Sequence, residues 1–121
     1  SSLRKAKELE NKYDLLLQYS RKSVNTAVAN AWTSYQSSKS VMNSIGSQVK
    51  AAEIANEGIT SEYESGESNR TTLDVIQSHS ILLDAKINLA TSERNFLVSQ
   101  FSLLSAVGRL TSKQLNLNHG E

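Results

Sequence analysis

The amino-acid sequence predicts an all-α protein, a long antiparallel coiled-coil hairpin whose two helical arms differ in length. Three observations support this prediction. The 121 residues include no proline, so nothing removes a backbone donor or imposes a helix break. Apolar residues recur at steps of three and four, and after position 72 they recur every seven residues. The densest cluster of turn-forming residues lies at 65–70, between the two periodic segments.

The first helix is predicted over about residues 2–64. Its apolar stripe is close to a heptad repeat and comprises Ala6, Leu9, Tyr13, Leu16, Val24, Ala27, Ala31, Tyr35, Met42, Ile45, Val49, Ala52, Ile59 and Tyr63. The middle of this helix is rich in serine, at positions 34, 37, 38, 40, 44 and 47. Such small side chains suit a helix packed between two neighbours or lining water, and a solvated serine-rich face explains them equally well.

The second helix is predicted over about residues 71–108, with Gly108 ending it and a polar tail over 109–121. Two apolar seams repeat along it at strict intervals of seven. The first comprises Val75, Leu82, Leu89, Phe96, Leu103 and Leu110, and the second comprises Ile76, Leu83, Ala90, Leu97 and Leu104. Strict sevens over about five heptads predict a left-handed supercoil.

The segment 65–70 is predicted to form the tip turn of the hairpin. Gly66 can adopt the left-handed conformation that closes a helix C-terminus. Thr71 and Asp74, three residues apart, indicate a capping box for the second helix. Because the first helix is longer than the second, its first twenty or so residues lack a partner from the same chain. Other protein must cover them, or they fold back as a third helix.

Composition argues against an enzyme or a nucleic-acid-binding protein. Thirteen basic and twelve acidic side chains give a net charge of +1, which produces no global field for nucleic acid or an anionic membrane. The chain has no cysteine, and His79 and His119 lie forty positions apart, without metal-ligand spacing. We therefore expect no catalytic residue, no cofactor and no metal. No basic and apolar leader opens the chain, so either the mature protein starts at Ser1 or this is part of something longer.

Acidic residues concentrate around the predicted tip. Glu57, Glu62, Glu64, Glu67 and Asp74 stand near a single cation, Arg70. Acids in the last turn of a helix oppose its dipole, at a cost on the order of 0.3 to 1 kcal/mol each when exposed. Such a violation often marks function, although a screened surface cluster explains it nearly as well.

Several segments together resemble the outer-membrane efflux protein family, the TolC-like channel-tunnels of Gram-negative bacteria. They are Tyr63-Glu-Ser-Gly66, Arg70-Thr-Thr-Leu-Asp74-Val-Ile, Leu82-Leu-Asp-Ala-Lys-Ile-Asn-Leu89 and Leu104-Ser-Ala-Val-Gly-Arg-Leu-Thr111. The resemblance is to the second of two long helical hairpins in each protomer, and it covers nearly the whole chain, 1–121.

The resemblance implies one hairpin of a trimeric α-barrel in the periplasm, a fragment of an outer-membrane export channel for drug efflux or type I protein secretion. The implied partners are two further protomers, a periplasmic adaptor and an inner-membrane transporter, and any membrane contact belongs to strands that this chain lacks. The implied gating and adaptor contacts lie at the tip: Tyr63, Gly66, Arg70, Asp74 and Gln77. Gln77 stands where the family often has a second entrance acid, beside Asp74.

A second interpretation from another class stays open. The chain would then be a soluble coiled-coil interaction protein that acts as a free-standing oligomer. It predicts a stable oligomer of the 121-residue chain that needs no flanking sequence.

Overall fold

The computed structural model consists of two long helices. It describes residues 1–67 and 69–119, with side chains through residue 116. Helix α1 is Ser2–Ser65 and helix α2 is Thr72–His119, and the described residues include no strand. The all-α hairpin with unequal arms is therefore confirmed. None of the described helices contains a stretch apolar enough to cross a membrane.

The second helix does not end where the sequence predicts. It continues through Gly108 to His119, so the predicted helix end at Gly108 was wrong, and residues 109–119 are helical. Glycine inside a helix costs about 1 kcal/mol relative to alanine. Leu110 and Lys113, beyond the glycine, are half-buried rather than exposed, and their packing offsets that cost. The predicted tail residues Gly120 and Glu121 lie outside the described part of the chain.

The chain divides into two compact units. The tip unit comprises residues 35–99 and contains the turn, and the terminal unit comprises 1–34 together with the C-terminal part of α2 from Gln100. Each unit pairs a segment of α1 with a segment of α2.

In the tip unit the two helices pack through one heptad seam. Along α2 this seam alternates large and small residues: Val75, Ser78, Leu82, Ala85, Leu89, Ser92, Phe96 and Ser99. Ser78, Ser92 and Ser99 are buried, as is Val49 on α1. Small residues at every second seam position let the helix backbones approach closely.

Polar and aromatic contacts fix the register of that seam. The hydroxyls of Ser38 and Ser99 lie 2.7 Å apart, and Ser78 Oγ donates to Asn56 Oδ1 at 3.1 Å. Farther from the turn than Asn56 and Ser78, the rings of Tyr35 and Phe96 have centroids 5.4 Å apart. These pairs place α2 antiparallel to α1 within the unit.

The serine-rich stretch of α1 divides between the seam and the solvent. Ser38 lies in the seam, where its hydroxyl bonds Ser99 and also donates to the Tyr35 carbonyl at 3.1 Å. The other serines of the stretch, at 34, 37, 40, 44 and 47, are exposed. In this chain they form a polar outer face.

In the terminal unit, the buried and half-buried residues of α1 are Ser20, Val24, Val28 and Ala31. Val24 and Ala106 are the buried apolar residues of this unit. Residues 1–19 are all exposed, including Leu9, Tyr13 and Leu15, which are 53%, 64% and 66% accessible. The prediction that the start of α1 lacks cover from its own chain is therefore confirmed.

Candidate functional site at the hairpin tip

The tip turn closes α1 through a glycine in the left-handed conformation. Gly66 has φ of 70°, and its N–H donates to the Tyr63 carbonyl at 3.3 Å. Ser65 Oγ donates to the Glu62 carbonyl at 2.9 Å and accepts from the Glu67 N–H at 3.4 Å. Two of the last carbonyls of α1, those of Glu62 and Tyr63, thus accept bonds within the turn, and Gly66 has the left-handed conformation that the sequence predicts.

Helix α2 begins with the predicted capping box. The Thr71 N–H donates to Asp74 Oδ2 at 3.0 Å, and the Asp74 N–H donates to Thr71 Oγ1 at 3.2 Å. Both bonds satisfy backbone donors that a helix start leaves free. The half-buried Asp74 carboxylate therefore supports the helix start, and it also lies at the positive end of the α2 dipole.

Arg70 joins the end of α1 to the segment before α2. Its Nε lies 2.6 Å from Glu62 Oε2, with the two side chains 42% and 50% exposed. The hydrogen bond that Arg70 donates to Glu62, followed by the negative charge of Glu62, raises the pKa of Arg70. The guanidinium thereby offsets the penalty that Glu62 incurs near the negative end of the α1 dipole. Because the Arg70–Glu62 bond spans the turn, it forms only while the turn keeps this conformation.

Tyr63 makes a second bond across the turn. Its hydroxyl lies 3.0 Å from Thr72 Oγ1, although the ring is 41% exposed. The turn brings together four of the five residues predicted at the tip: Tyr63, Gly66, Arg70 and Asp74. The fifth, Gln77, is exposed on α2 one turn beyond Asp74.

The sequence alone does not identify the bonding partners of Arg70 and Tyr63. Glu62 is one of several acids near the tip, and no local pattern distinguishes Thr72. Arg70 lies eight residues after Glu62, and Thr72 lies nine residues after Tyr63. Side chains at these spacings meet only because the chain turns between them. The exposed acids Glu57, Glu64 and Glu67 give the tip a negative surface.

In the described part of the tip, the acidic side chains form no metal-binding cluster. Among the described residues, no three His, Asp or Glu side chains are grouped closely enough to hold a metal ion. Its bonds instead hold two helix ends together, so the tip can serve as a latch or a contact surface.

The second seam of α2 is exposed in the tip unit. Ile76, Leu83 and Leu97 are 58%, 59% and 52% accessible, and Leu73 and Ile87 extend the same stripe. At 100° per residue this seam lies roughly 150° around the helix from the seam that packs on α1. Helix α2 therefore carries apolar stripes on two nearly opposite sides, and α1 covers one of them. An exposed apolar stripe of this regularity indicates an interaction surface.

Comparisons with known proteins identify two informative relatives. The chain is 28% identical over 117 residues to the outer membrane efflux protein BepC of Brucella suis biovar 1 (strain 1330), which covers 97% of this chain and 25% of BepC. It is also 28% identical over 99 residues to the outer membrane protein TolC of Escherichia coli (strain K12), covering 82% of this chain and 20% of TolC. No family model and no solved structure matches the chain.

These two relatives confirm the resemblance that the sequence predicts. The chain spans about a quarter of BepC and a fifth of TolC. Neither relative is named as an enzyme.

Proposed function

Because the chain resembles an outer membrane efflux protein over nearly its whole length, we propose that it forms a helical hairpin of an outer-membrane export channel. In this proposal the hairpin lies on the periplasmic side of the outer membrane of a Gram-negative bacterium. It lines a passive conduit for drug efflux or type I protein secretion and carries no catalytic residue. Two further protomers complete the wall of the conduit.

The observation that carries this proposal is the exposed second seam of α2. A two-helix hairpin has one internal seam, yet Leu83 and Leu97 repeat on the other side with the same period of seven. A stripe that keeps the heptad period suits a neighbouring helix wound in the same supercoil. A wall of adjacent helices provides such a neighbour, because each helix in the wall packs against one helix on either side.

The thin core of the hairpin supports the same conclusion. Among the described residues the buried apolar side chains are Val24, Val49 and Ala106, and no large side chain is fully buried. Most helix stability in proteins comes from tertiary packing of an apolar face. Helices packed beside the hairpin would therefore add to the stability that its own thin core provides.

At the tip, we propose that Tyr63 and Arg70 hold the channel entrance closed through bonds to neighbouring helices. Asp74 lines that entrance as an acid that favours cations, while it also caps α2. Residues 60–76, with the exposed Gln77 beside them, contact the periplasmic adaptor and, through it, the inner-membrane transporter. The support is the position of both side chains, which are 41% and 42% exposed at the turn and therefore accessible to a neighbouring helix.

Charge reversal at Arg70 tests the gating role. In the full-length channel that carries this chain, Arg70→Glu places two acids face to face at Glu62, and we expect higher conductance in a planar bilayer. Arg70→Lys keeps the charge but loses the guanidinium bond. The conductance of this variant should therefore lie between those of the unmodified channel and Arg70→Glu. Lys39→Glu, an equal charge reversal at an exposed site on α1, is the matched control. Equal conductance of Arg70→Glu and the control would remove Arg70 from the gate.

Photo-crosslinking tests the adaptor contact. A photoreactive residue at exposed Gln77 should link the full-length protein to a periplasmic partner in intact cells. The same residue at Lys39, away from the tip, should give no such product. Crosslinks of equal yield from both sites would contradict a contact centred on the tip.

The exposed seam also favours the second candidate, a free-standing coiled-coil oligomer. In that case the 121-residue chain sediments as a stable oligomer, and Leu83→Lys dissociates it. A monomer at all concentrations would eliminate this candidate, while the channel proposal would be unaffected.

A further inference from the structure

A basic cleft lies in the terminal unit, apart from the tip and from the exposed seam. It has a volume of about 390 Å³ and is lined by Arg21, Val24, Asn25, Leu110, Lys113 and Gln114. We propose that this cleft binds a phosphoryl group, through Arg21 and Lys113. The inference does not depend on the proposed channel function.

Charge around the cleft is entirely positive among the described residues. The stretches 15–34 and 100–116 contain the cations Arg21, Lys22, Arg109 and Lys113 and no acid. The nearest acid along α1 is Asp14, roughly 10 Å from Arg21 along the helix axis, about one Debye length at physiological salt. Neither Arg21 nor Lys113 forms an ion pair with a described residue. Their charges are therefore available to an external anion.

Lys113 is held in place before any ligand binds. Its ammonium donates to the Ser20 carbonyl at 3.4 Å and to the Ser20 hydroxyl. An ammonium has three N–H donors, so one remains for a ligand. Because the long side chain is already partly ordered and half-buried, binding loses less rotamer entropy there than at a free surface lysine.

The remaining groups of the cleft suit an oxyanion. The Arg21 guanidinium can give two parallel N–H bonds to one phosphoryl group, and the amides of Asn25 and Gln114 add neutral donors. The lining includes no carboxylate that would compete for the cations or attract a metal. Val24, only 9% exposed, and half-buried Leu110 supply the apolar walls of the cleft.

The phosphoryl group could come from free phosphate or from a lipid headgroup. Exposed Leu17 lies one turn before Arg21, on the same face of α1. This side chain would touch an acyl chain if the ligand were a lipid. A phosphoryl group from either source would make the same contacts with Arg21 and Lys113. Two assays, one for each source, are therefore needed to distinguish them.

An NMR titration of the ¹⁵N-labelled 121-residue chain with inorganic phosphate tests the free-anion source. Ionic strength is held constant by replacing chloride. We expect saturable shifts at the Asn25 and Gln114 signals and a loss of affinity of about tenfold for Arg21→Gln. Lys39→Gln removes an equal charge outside the cleft and should leave the affinity unchanged. An equal loss in both variants would overturn the proposal.

Co-sedimentation with phosphatidylcholine vesicles, with and without phosphatidic acid, tests the lipid source. A lipid headgroup site is supported if vesicle binding requires both phosphatidic acid and Arg21, and if inorganic phosphate causes no shifts in the NMR titration. The decisive variant is Arg21→Gln, because the Arg21 side chain forms no described bond whose loss would disturb the fold. Lys113→Gln also releases Ser20 and serves as the second variant. No dependence on Arg21 in either assay overturns the proposal.

Discussion

A glycine-to-alanine pair at Gly66 and Gly58 should shift the stability of the hairpin in opposite directions. At Gly66 a Cβ would meet nothing within 4 Å, so the cost comes from backbone conformation alone. With φ of 70°, an L-residue there loses roughly 1 to 2 kcal/mol. At Gly58 a Cβ also meets nothing within 4 Å, but the residue is inside α1, where alanine gains about 1 kcal/mol.

The assay is urea unfolding of the 121-residue chain, followed by the helical circular dichroism signal. Both glycines lie in the tip unit, and neither substitution meets a neighbouring side chain. The expected difference between the two variants is therefore about 2 to 3 kcal/mol in the free energy of unfolding, from these two backbone terms. If both variants were stabilised, Gly66 would not hold a left-handed conformation, and the tip turn described here would be wrong.

Three further experiments test the cap, the seam and the extended helix by the same unfolding assay. Thr71→Ala removes one half of the capping box and should cost about 1 kcal/mol, whereas Thr71→Ser should cost much less; equal losses would refute the box. A double-mutant cycle of Ser38→Ala and Ser99→Ala should give a coupling of about 0.5 to 1 kcal/mol, and strictly additive losses would mean that the two hydroxyls do not bond. Gly108→Ala should stabilise the chain by about 1 kcal/mol because α2 continues through this position, and destabilisation would restore the predicted helix end.

The tip could be predicted from the sequence because its determinants are local. Gly66 has no Cβ and therefore tolerates the positive φ that closes α1, and Thr71 and Asp74 have the spacing at which two side chains and two N–H groups satisfy each other. Such signals depend on a few neighbouring residues. The heptad seams were predictable for a similar reason, since periodicity shows which residues share a helix face.

The end of α2 and the polar pairs were not predictable in this way. Gly108 is a local stop signal, but contacts of Leu110 and Lys113 with α1 decide that the helix continues. Six serines of α1 are alike in sequence, and only the register of the two helices selects Ser38 to meet Ser99. These features depend on partners distant in sequence, for which a single sequence holds no signal.

The central claim is that another helix covers the second seam of α2 in the full-length protein. Because this chain has no native cysteine, Leu83→Cys gives a single reporter on the seam within it, and exposed Lys86→Cys is the control on the same helix. The measurement is maleimide labelling of both variants, in the isolated chain and in the full-length protein in outer membranes. We expect both sites to react in the isolated chain and Leu83→Cys alone to be protected in the membrane-bound protein. Equal labelling of Leu83→Cys in both settings would contradict the account.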